Sequence, residues 1–337
     1  MIDEDAVTGL TSNPSIFQKA IASGSDYDEQ IEELLGRSDD LREIFFELAV
    51  SDVRAACDVL RPIWDSTGGG DGYASLEVDP GLAFDTKATI DQAVQLHEAV
   101  DRPNVFIKIP ATREGLPAIE ECIARSIPIN VTLIFSLERY RDVVEAYRRG
   151  LERLVAGGGN PATVHSVASF FVSRVDTEAD RRLDEIGTKQ ALELRGKLAV
   201  ANARLAYEHF RDAFSDARWQ YLAGKGANPQ RCLWASTSTK NPAYRDVMYV
   251  EDLIGADTVN TMPAETIVAF QDHGKVRGDT VEDDLDAAHK LLKKLAKVGV
   301  DYDYVTETLE LEGVQKFAES FEQLLEGVQS KRSTVNA

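Results

Sequence analysis

The sequence predicts an α/β fold, a (β/α)8 barrel of the TIM type in which one strand is missing, followed by extra C-terminal helices. The main observation is a rhythm of seven strand candidates, centred near residues 9, 76, 107, 132, 169, 233 and 260, that alternate with helical segments. The length of 337 residues suits a single barrel domain spanning residues 1–337. Because pattern alone does not close a sheet, an open seven-stranded sheet is the alternative.

Helical periodicity, glycine and proline bound the strand candidates. Pro14 ends the first one, since proline lacks the amide donor that a strand needs. The glycine-rich segment at 66–72 lacks the spacing of a phosphate loop and is interpreted as a linker. Ser136 suits the N-cap of the helix after the fourth strand. The strand candidates cover residues 6–12, 73–79, 104–110, 128–136, 164–173, 230–237 and 257–262, and helical segments fill 27–64, 136–155, 177–214 and the region from 281 onward.

The composition limits the partners and the compartment. A formal net charge of −20 disfavours nucleic acid and anionic membranes as partners, since both are bound through excess Lys and Arg. No apolar run approaches the roughly 20 residues of a membrane span. Three widely spaced cysteines predict reduced thiols and a cytoplasmic location. No sequence motif argues for a metal, and no cofactor is predicted.

One lysine lies in an otherwise apolar strand candidate. Side chains alternate along the strand at 104–110, so Lys108 points away from the face that carries Ile107 and Ile109. Parallel strands are covered on both faces, and a charged amine there is costly unless it has a use. Burial disfavours the ammonium form, and a neutral amine can attack a carbonyl to form a Schiff base. The sequence therefore predicts covalent carbonyl chemistry at Lys108.

Further polar residues lie in or at the end of strand candidates, where a barrel collects its catalytic groups. Glu77 with Thr132 could shuttle protons through water while a Schiff base forms and hydrolyses. A purely structural role stays open for each residue taken alone, such as forming the turn before a proline or filling a small space in the core. Glu77 and Lys108 could also be a buried ion pair that only fixes strand register. The residues that accompany Lys108 are Asn13, Glu77, Asn130, Thr132, Ser169 and Ser236.

Two cations just past strand ends are candidates for binding a phosphate. Arg174 follows the fifth strand candidate, and Lys240 lies in the loop after the sixth, near the hydroxyls of Ser236 and Ser238. The guanidinium fork suits a phosphate, and a lysine adds a point charge. Either cation could instead be a solvated loop residue. An anionic substrate of so acidic a chain needs local positive charge of this kind.

Six segments carry a resemblance to one family. They are TSNPSIF at 11–17, SLEVD at 75–79, FIKIPAT at 106–112, INVTLIFS at 129–136, SFFVSRVD at 169–176 and WASTSTKNP at 234–242. In this order they resemble the longer bacterial form of transaldolase, over essentially the whole chain. The resemblance implies a barrel of the class I aldolase kind. It also implies transfer of a dihydroxyacetone unit from sedoheptulose 7-phosphate to glyceraldehyde 3-phosphate, in the pentose phosphate pathway.

The resemblance implies roles for the residues around the lysine. Lys108 matches the Schiff-base lysine of the family. Glu77 and Thr132 match the pair that holds the catalytic water. Asn13 and Asn130 match positions that hydrogen-bond the bound dihydroxyacetone unit.

The remaining candidates match the pocket and its phosphate-binding end. Ser169 matches a neighbouring pocket residue, and Arg174 and Ser236 match phosphate-binding positions. The second arginine of shorter relatives has no clear counterpart, so Lys240 is the candidate for that cation. Phosphorylated sugars are the expected partners, and a homo-oligomer is left open.

The sequence departs from the family at its beginning. The family starts with a strand that carries an aspartate acid/base, whereas Asp3 and Asp5 lie in the run-in to the next strand. We therefore expect an N-terminally truncated chain or a late start codon, and poor folding or reduced turnover of the chain as written. The competing functions are a fructose 6-phosphate aldolase, which releases free dihydroxyacetone, and a non-catalytic sugar-phosphate-binding protein.

Overall fold

The structure is a computed structural model that describes residues 2–335. Strands alternate with helices along the chain, which confirms the predicted α/β class. The residues group into two compact units, and each is described by itself. The first comprises residues 2–130, 163–165 and 313–335, and the second comprises residues 131–162 and 166–312. No described helix combines the length and the apolar composition that a bilayer crossing requires.

Strands occur at all seven positions that the sequence predicts. They are β1 Leu10–Thr11, β2 Ala74–Glu77, β3 Val105–Pro110, β4 Ile129–Ile134, β5 Ser166–Phe171, β6 Gln230–Ala235 and β7 Thr258–Asn260. The helices are α1 Ile2–Asp5, α2 Pro14–Ser23, α3 Asp28–Leu35, α4 Leu41–Ser66, α5 Thr86–Val100, α6 Gly115–Ala124, α7 Leu137–Ala156, α8 Ser173–Ile186, α9 Lys189–Leu192, α10 Leu198–Ala213, α11 Ala217–Ala223, α12 Met248–Glu251, α13 Ala264–His273, α14 Leu285–Val298 and α15 Tyr302–Val335. Short 3-10 helices lie at Pro80–Leu82, Pro161–Thr163 and Thr280–Glu282.

In the first unit, β1, β2 and β3 are parallel neighbours. The register of β2 and β3 pairs Ala74 with Val105 and Glu77 with Lys108. Every residue of β3 is buried, as expected for a parallel strand that is covered on both faces. Register and burial together fix the direction in which the Lys108 side chain leaves the strand.

Aromatic packing ties the C-terminal part of α15 into this unit. The ring of Phe45 on α4 lies 5.4 Å from that of Phe17 and 5.3 Å from that of Phe321, both edge to face. Edge-to-face pairs at such distances add to the free energy gained by burial alone. The last helix is therefore a core element of the first unit.

In the second unit, β5, β6 and β7 are parallel neighbours. Their register pairs Ser169 with Leu233 and Trp234 with Asn260. Helix α7 begins as predicted, because the Ser136 hydroxyl accepts a hydrogen bond from the Arg139 amide at 2.9 Å. Such a cap satisfies an amide that has no partner within the helix.

Several strands are shorter than their sequence patterns predict. For residues 6–12 only Leu10–Thr11 pair, because Ala6 takes a left-handed φ of 52° after the helical turn of α1. The predictions 164–173 and 230–237 extend too far at their C-terminal ends. Ser173 already begins α8, and Ser236 has a left-handed φ of 57° that ends β6. The alternation of apolar and polar side chains in the sequence does not reveal these changes in backbone conformation.

Candidate active site

A buried ion pair lies at the centre of the first unit. The Nζ of Lys108 is 3.0 Å from Oε2 of Glu77, and both side chains are only 6% exposed. The in-register pairing of β2 with β3 brings the two residues side by side. The sequence placed both on one face by alternation, and the structure brings them into contact.

The Lys108 amine has two further neighbours. Nζ donates to the main-chain oxygen of Ser12 at 3.0 Å, just past the end of β1. It also lies 5.9 Å from the ring centroid of Phe317 on α15. The amine is thus held by one carboxylate and one carbonyl, with an aromatic ring beside it.

Burial also changes the acidity of the carboxylate. Desolvation raises the pKa of Glu77 above its ordinary value, and the adjacent Lys108 offsets part of that rise. A carboxyl group with a raised pKa accepts and returns protons closer to neutral pH than an exposed glutamate does. Glu77 therefore has the properties of an acid/base group next to a buried amine.

The two predicted asparagines have different surroundings. The buried Asn130 donates from Nδ2 to the Ser75 hydroxyl at 3.1 Å, and Ser75 lies two residues before Glu77 on β2. Asn13 caps α2, since its side-chain oxygen accepts from the Ile16 amide at 2.9 Å. The turn-forming role that the sequence left open for Asn13 is thus present in the structure.

Thr132 lies in the second unit as a buried residue of β4. Its Oγ1 has no hydrogen-bond partner within the described residues 2–335. The next residue, Leu133, has a left-handed φ of 61°, which interrupts the alternation of side chains inside the strand. Strained backbone of this kind persists only where surrounding structure holds it, and it is frequent at functional sites. A buried, unpartnered hydroxyl beside such a residue is suited to binding a ligand or a water.

The start of α8 brings Arg174 close to Ser236. The Ser236 hydroxyl is 2.9 Å from that of Ser173, and the Ser173 amide donates to the Ser236 carbonyl at 2.9 Å. Arg174 follows in the first helical turn, with its guanidinium 5.3 Å from the Phe171 ring. Burial lowers the pKa of Arg174, while Glu312 acts in the opposite direction. A guanidinium, a hydroxyl and a helix N-terminus together favour an anion.

Two other predicted residues of the second unit contribute less to this cluster. Ser169 is buried in β5, opposite Leu233 on β6. Lys240 is exposed, and its Nζ donates to the Ser238 hydroxyl in its own loop at 2.7 Å. The structure thus agrees with the alternative considered from the sequence, in which Lys240 is a solvated loop cation.

Sequence reasoning missed a buried acid near the anion-binding cluster. Asp176 accepts from the Tyr249 hydroxyl at 2.8 Å and from the Ala199 amide at 2.8 Å. Desolvation raises the pKa of Asp176 to about 7, although these hydrogen bonds lower it. The sequence signal was its place at the end of the SFFVSRVD segment, two residues after Arg174, to which no role was given. Within residues 2–335, no group of three or more His, Cys, Asp or Glu could hold a metal ion.

Comparisons with known proteins agree with the resemblance that the motifs carry. The family model described as transaldolase/fructose-6-phosphate aldolase matches residues 1–328. A relative named transaldolase, from Frankia alni, is 54% identical over 325 residues, covering 96% of this chain and 88% of the relative. Transaldolase 2 of Streptomyces coelicolor is 52% identical over 98% of this chain and 89% of its own length. A transaldolase of Mycobacterium tuberculosis is 51% identical over 99% and 90%.

Proposed function

This chain belongs to the transaldolase/fructose-6-phosphate aldolase family, and we propose that Lys108 is the amine through which it transfers a dihydroxyacetone unit. Membership and the named relatives confirm the transaldolase activity predicted from the sequence. The donor is sedoheptulose 7-phosphate, the acceptor is glyceraldehyde 3-phosphate, and the products are erythrose 4-phosphate and fructose 6-phosphate. The assignment of individual residues is our proposal.

The contact between Lys108 and Glu77 is the observation that carries this assignment. A buried ion pair contributes little net stability to the fold, since the cost of desolvating both charges offsets their attraction. The 3.0 Å distance instead suits proton transfer from Nζ to Oε2 of Glu77, which leaves a neutral amine beside a neutral acid. The raised pKa of Glu77 favours that transfer.

The reaction then follows from the neutral amine. Nζ attacks the ketone carbon, the acid returns a proton to the oxygen, and water leaves as the iminium forms. The iminium withdraws electrons from the neighbouring carbon–carbon bond, which breaks when the hydroxyl proton of the leaving aldose is removed. The resulting enamine adds to the acceptor aldehyde, and water then frees the product. The resemblance predicts an aspartate for the hydroxyl proton, on a strand outside this sequence, and that stays a prediction.

We assign the phosphate of the substrate to Arg174 and Ser236. Their clustering at the start of α8 supports this assignment, because a guanidinium and a hydroxyl both favour a phosphate oxygen. Lys240, exposed in its own loop, is the proposed source of a second positive charge. Asn13 and Asn130 are proposed to hydrogen-bond the dihydroxyacetone unit, and Ser169 to line its pocket. Thr132 is proposed to hydrogen-bond the catalytic water.

We also propose the wider architecture and setting from the family. The proposed architecture is a single class I aldolase-type barrel domain to which all these parallel strands belong. The parallel pairing β1–β2–β3 in the first unit and β5–β6–β7 in the second supports this architecture. A cytoplasmic location and a homo-oligomer remain predictions.

Borohydride trapping tests the proposal. The protein is incubated with fructose 6-phosphate, reduced, digested and analysed by peptide mass spectrometry. We expect a reduced sugar adduct on the peptide that contains Lys108, and loss of both adduct and transfer activity in Lys108→Met. An adduct on another lysine, or none, would overturn the assignment.

A matched lysine provides the control. Lys87 lies on α5 with its side chain 85% exposed and paired only with Asp91 on the next turn. Lys87→Met should leave both the adduct and the turnover unchanged. Product analysis without an acceptor aldose separates a transaldolase from a simple aldolase, because only the aldolase releases dihydroxyacetone at its full rate.

A further inference from the structure

Phe317 lies next to the Lys108 amine although it is far from it in sequence and outside every motif. Its ring centroid is 5.9 Å from Nζ, with the amine above the ring face, and the residue is 5% exposed. No other described residue presents an aromatic ring to this amine. The neighbour of the nucleophile is therefore part of α15.

Several contacts hold this part of α15 against the segments that carry the amine's partners. The Ser15 hydroxyl donates a hydrogen bond to the Ser320 hydroxyl on α15 at 2.8 Å. Ser15 lies three residues after Ser12, whose carbonyl accepts from the amine. Arg42 donates to Glu322 on α15 at 2.7 Å and pairs as well with Asp79. Asp79 lies two residues past Glu77. The helix is thus fixed to the same two chain segments that hold the amine.

Arg42 also packs on α15 itself. Its guanidinium lies 5.0 Å from the ring centroid of Phe321, one helical turn past Phe317. Phe321 is 2% exposed and belongs to the aromatic core with Phe45. Packing of Phe321, one turn along the same helix, therefore helps to set the position of Phe317 beside the amine.

An aromatic ring face has two effects on an iminium at Nζ. The face is electron-rich, so it attracts the cation that forms when the Schiff base is protonated. The ring is also apolar and bulky, and it occupies space from which water could otherwise approach. The second effect matters most after the carbon–carbon bond has broken, when the neutral enamine waits for an acceptor aldehyde and must not be hydrolysed through the iminium.

We propose that Phe317 determines the partition of this intermediate between transfer and hydrolysis, an inference that rests on the proposed Schiff base at Lys108. In hydrolysis, a proton adds to the enamine carbon and water adds to the iminium carbon. The carbon–nitrogen bond then breaks, a proton passes to the amine, and free dihydroxyacetone leaves. In transfer, the enamine carbon instead bonds to the acceptor aldehyde. The ring favours transfer because it keeps water from the iminium carbon.

The test measures both products from one reaction. Fructose 6-phosphate is the donor and erythrose 4-phosphate the acceptor, and free dihydroxyacetone is divided by the sedoheptulose 7-phosphate formed. This ratio does not depend on how much of a variant is folded. We expect Phe317→Ala to raise the ratio roughly fivefold as water gains access to the iminium carbon, a change of about 1 kcal/mol between the two barriers. Phe317→Leu, which keeps the bulk but not the ring face, should raise it less.

Phe321→Leu is the matched control, since it makes the same change one turn along α15 and away from Nζ. Its ratio should equal that of the unaltered protein. The inference is overturned if the ratios of Phe317→Ala and Phe317→Leu both match that of Phe321→Leu while borohydride still traps Lys108. That outcome leaves the proposed function intact. If Phe317→Ala does not fold, Phe317→Leu and Phe317→Val decide. Absence of any Lys108 adduct in the unaltered protein refutes the proposed function itself.

Discussion

The amine of Lys108 and the carboxylate of Glu77 lie 3.0 Å apart because β2 and β3 are paired in parallel with these two residues in register. Removing one partner of a buried pair leaves the other desolvated and uncompensated, which is far more costly than the pair is beneficial. We therefore expect activity to respond to the charge and the side-chain length at these two positions, and to pH.

Glu77→Gln keeps the shape of the side chain but removes the proton acceptor. We expect turnover to fall at least about 100-fold, the usual contribution of a positioned acid/base group. The proposed role of Glu77 as proton acceptor requires its ionised form, so kcat/KM of the unaltered protein should fall as pH drops through the raised pKa of this residue, above the ordinary value of 4.5. A kcat/KM profile measured from pH 4 to 9 should lose this acid limb in Glu77→Gln. Glu77→Asp, which keeps the charge but shortens the reach, should retain the limb at reduced rate.

Thr132→Val separates stability from activity. The Thr132 hydroxyl is buried with no partner in residues 2–335, so replacing it with a methyl group removes a desolvated polar atom. Urea unfolding should show the variant no less stable than the unaltered protein, while turnover falls. Thr132→Ser keeps the hydroxyl and should retain most of the activity. A clear loss of stability in Thr132→Val would show that the hydroxyl has a structural role.

Ser236 allows its backbone to be tested apart from its hydroxyl. Its φ of 57° is in the left-handed region, which glycine adopts without strain and alanine does not. Ser236→Gly should therefore be about 1 kcal/mol more stable than Ser236→Ala in thermal unfolding. Both variants lose the hydroxyl, so both should raise the KM for phosphorylated substrates to the same extent. A difference between their KM values would assign the effect to the backbone.

Asp176 predicts a specific pH dependence of stability. Its pKa is raised by burial to about 7, from an ordinary 3.8, so the folded state binds a proton that the unfolded state releases between these values. The stability that this proton provides is complete below pH 3.8 and is lost as pH rises through about 7. Asp176→Asn keeps an acceptor for the Ala199 amide and does not titrate. The free energy of unfolding of Asp176→Asn minus that of the unaltered protein should therefore be larger at pH 8 than at pH 5. A difference that does not change with pH would refute the assignment.

Local patterns in the sequence were sufficient to predict that Lys108 and Glu77 lie side by side. Lys108 and Glu77 each interrupt an apolar strand at a position fixed by two-residue alternation, and neighbouring parallel strands bring such positions together. The cap at Asn13 and the one at Ser136 also follow from local chemistry. These features depend on residues that are close in sequence or on one strand pairing.

Other features depend on tertiary packing that no local pattern encodes. Phe317 is one of many apolar residues on a charged helix, and nothing near it in sequence indicates which element it contacts. The left-handed φ values at Leu133 and Ser236 occur in residues that usually adopt extended or right-handed backbone. At Ser236 the side-chain pattern therefore extended β6 too far, and at Leu133 it missed a break in alternation within β4. Lys240 was proposed from its loop sequence, and its exposure could be known only from the structure.

The recruitment of residues 313–335 into the first unit has a consequence for synthesis on the ribosome. The segment through residue 130 emerges early, whereas its covering helix is translated about 180 residues later, a delay of roughly 10 to 40 s at usual elongation rates. During that interval the nascent chain carries the rings of Phe17 and Phe45 without Phe321 to cover them. Transiently exposed apolar surface of this kind is what chaperones generally bind, and Lys108 acquires its aromatic neighbour Phe317 only when the late segment arrives.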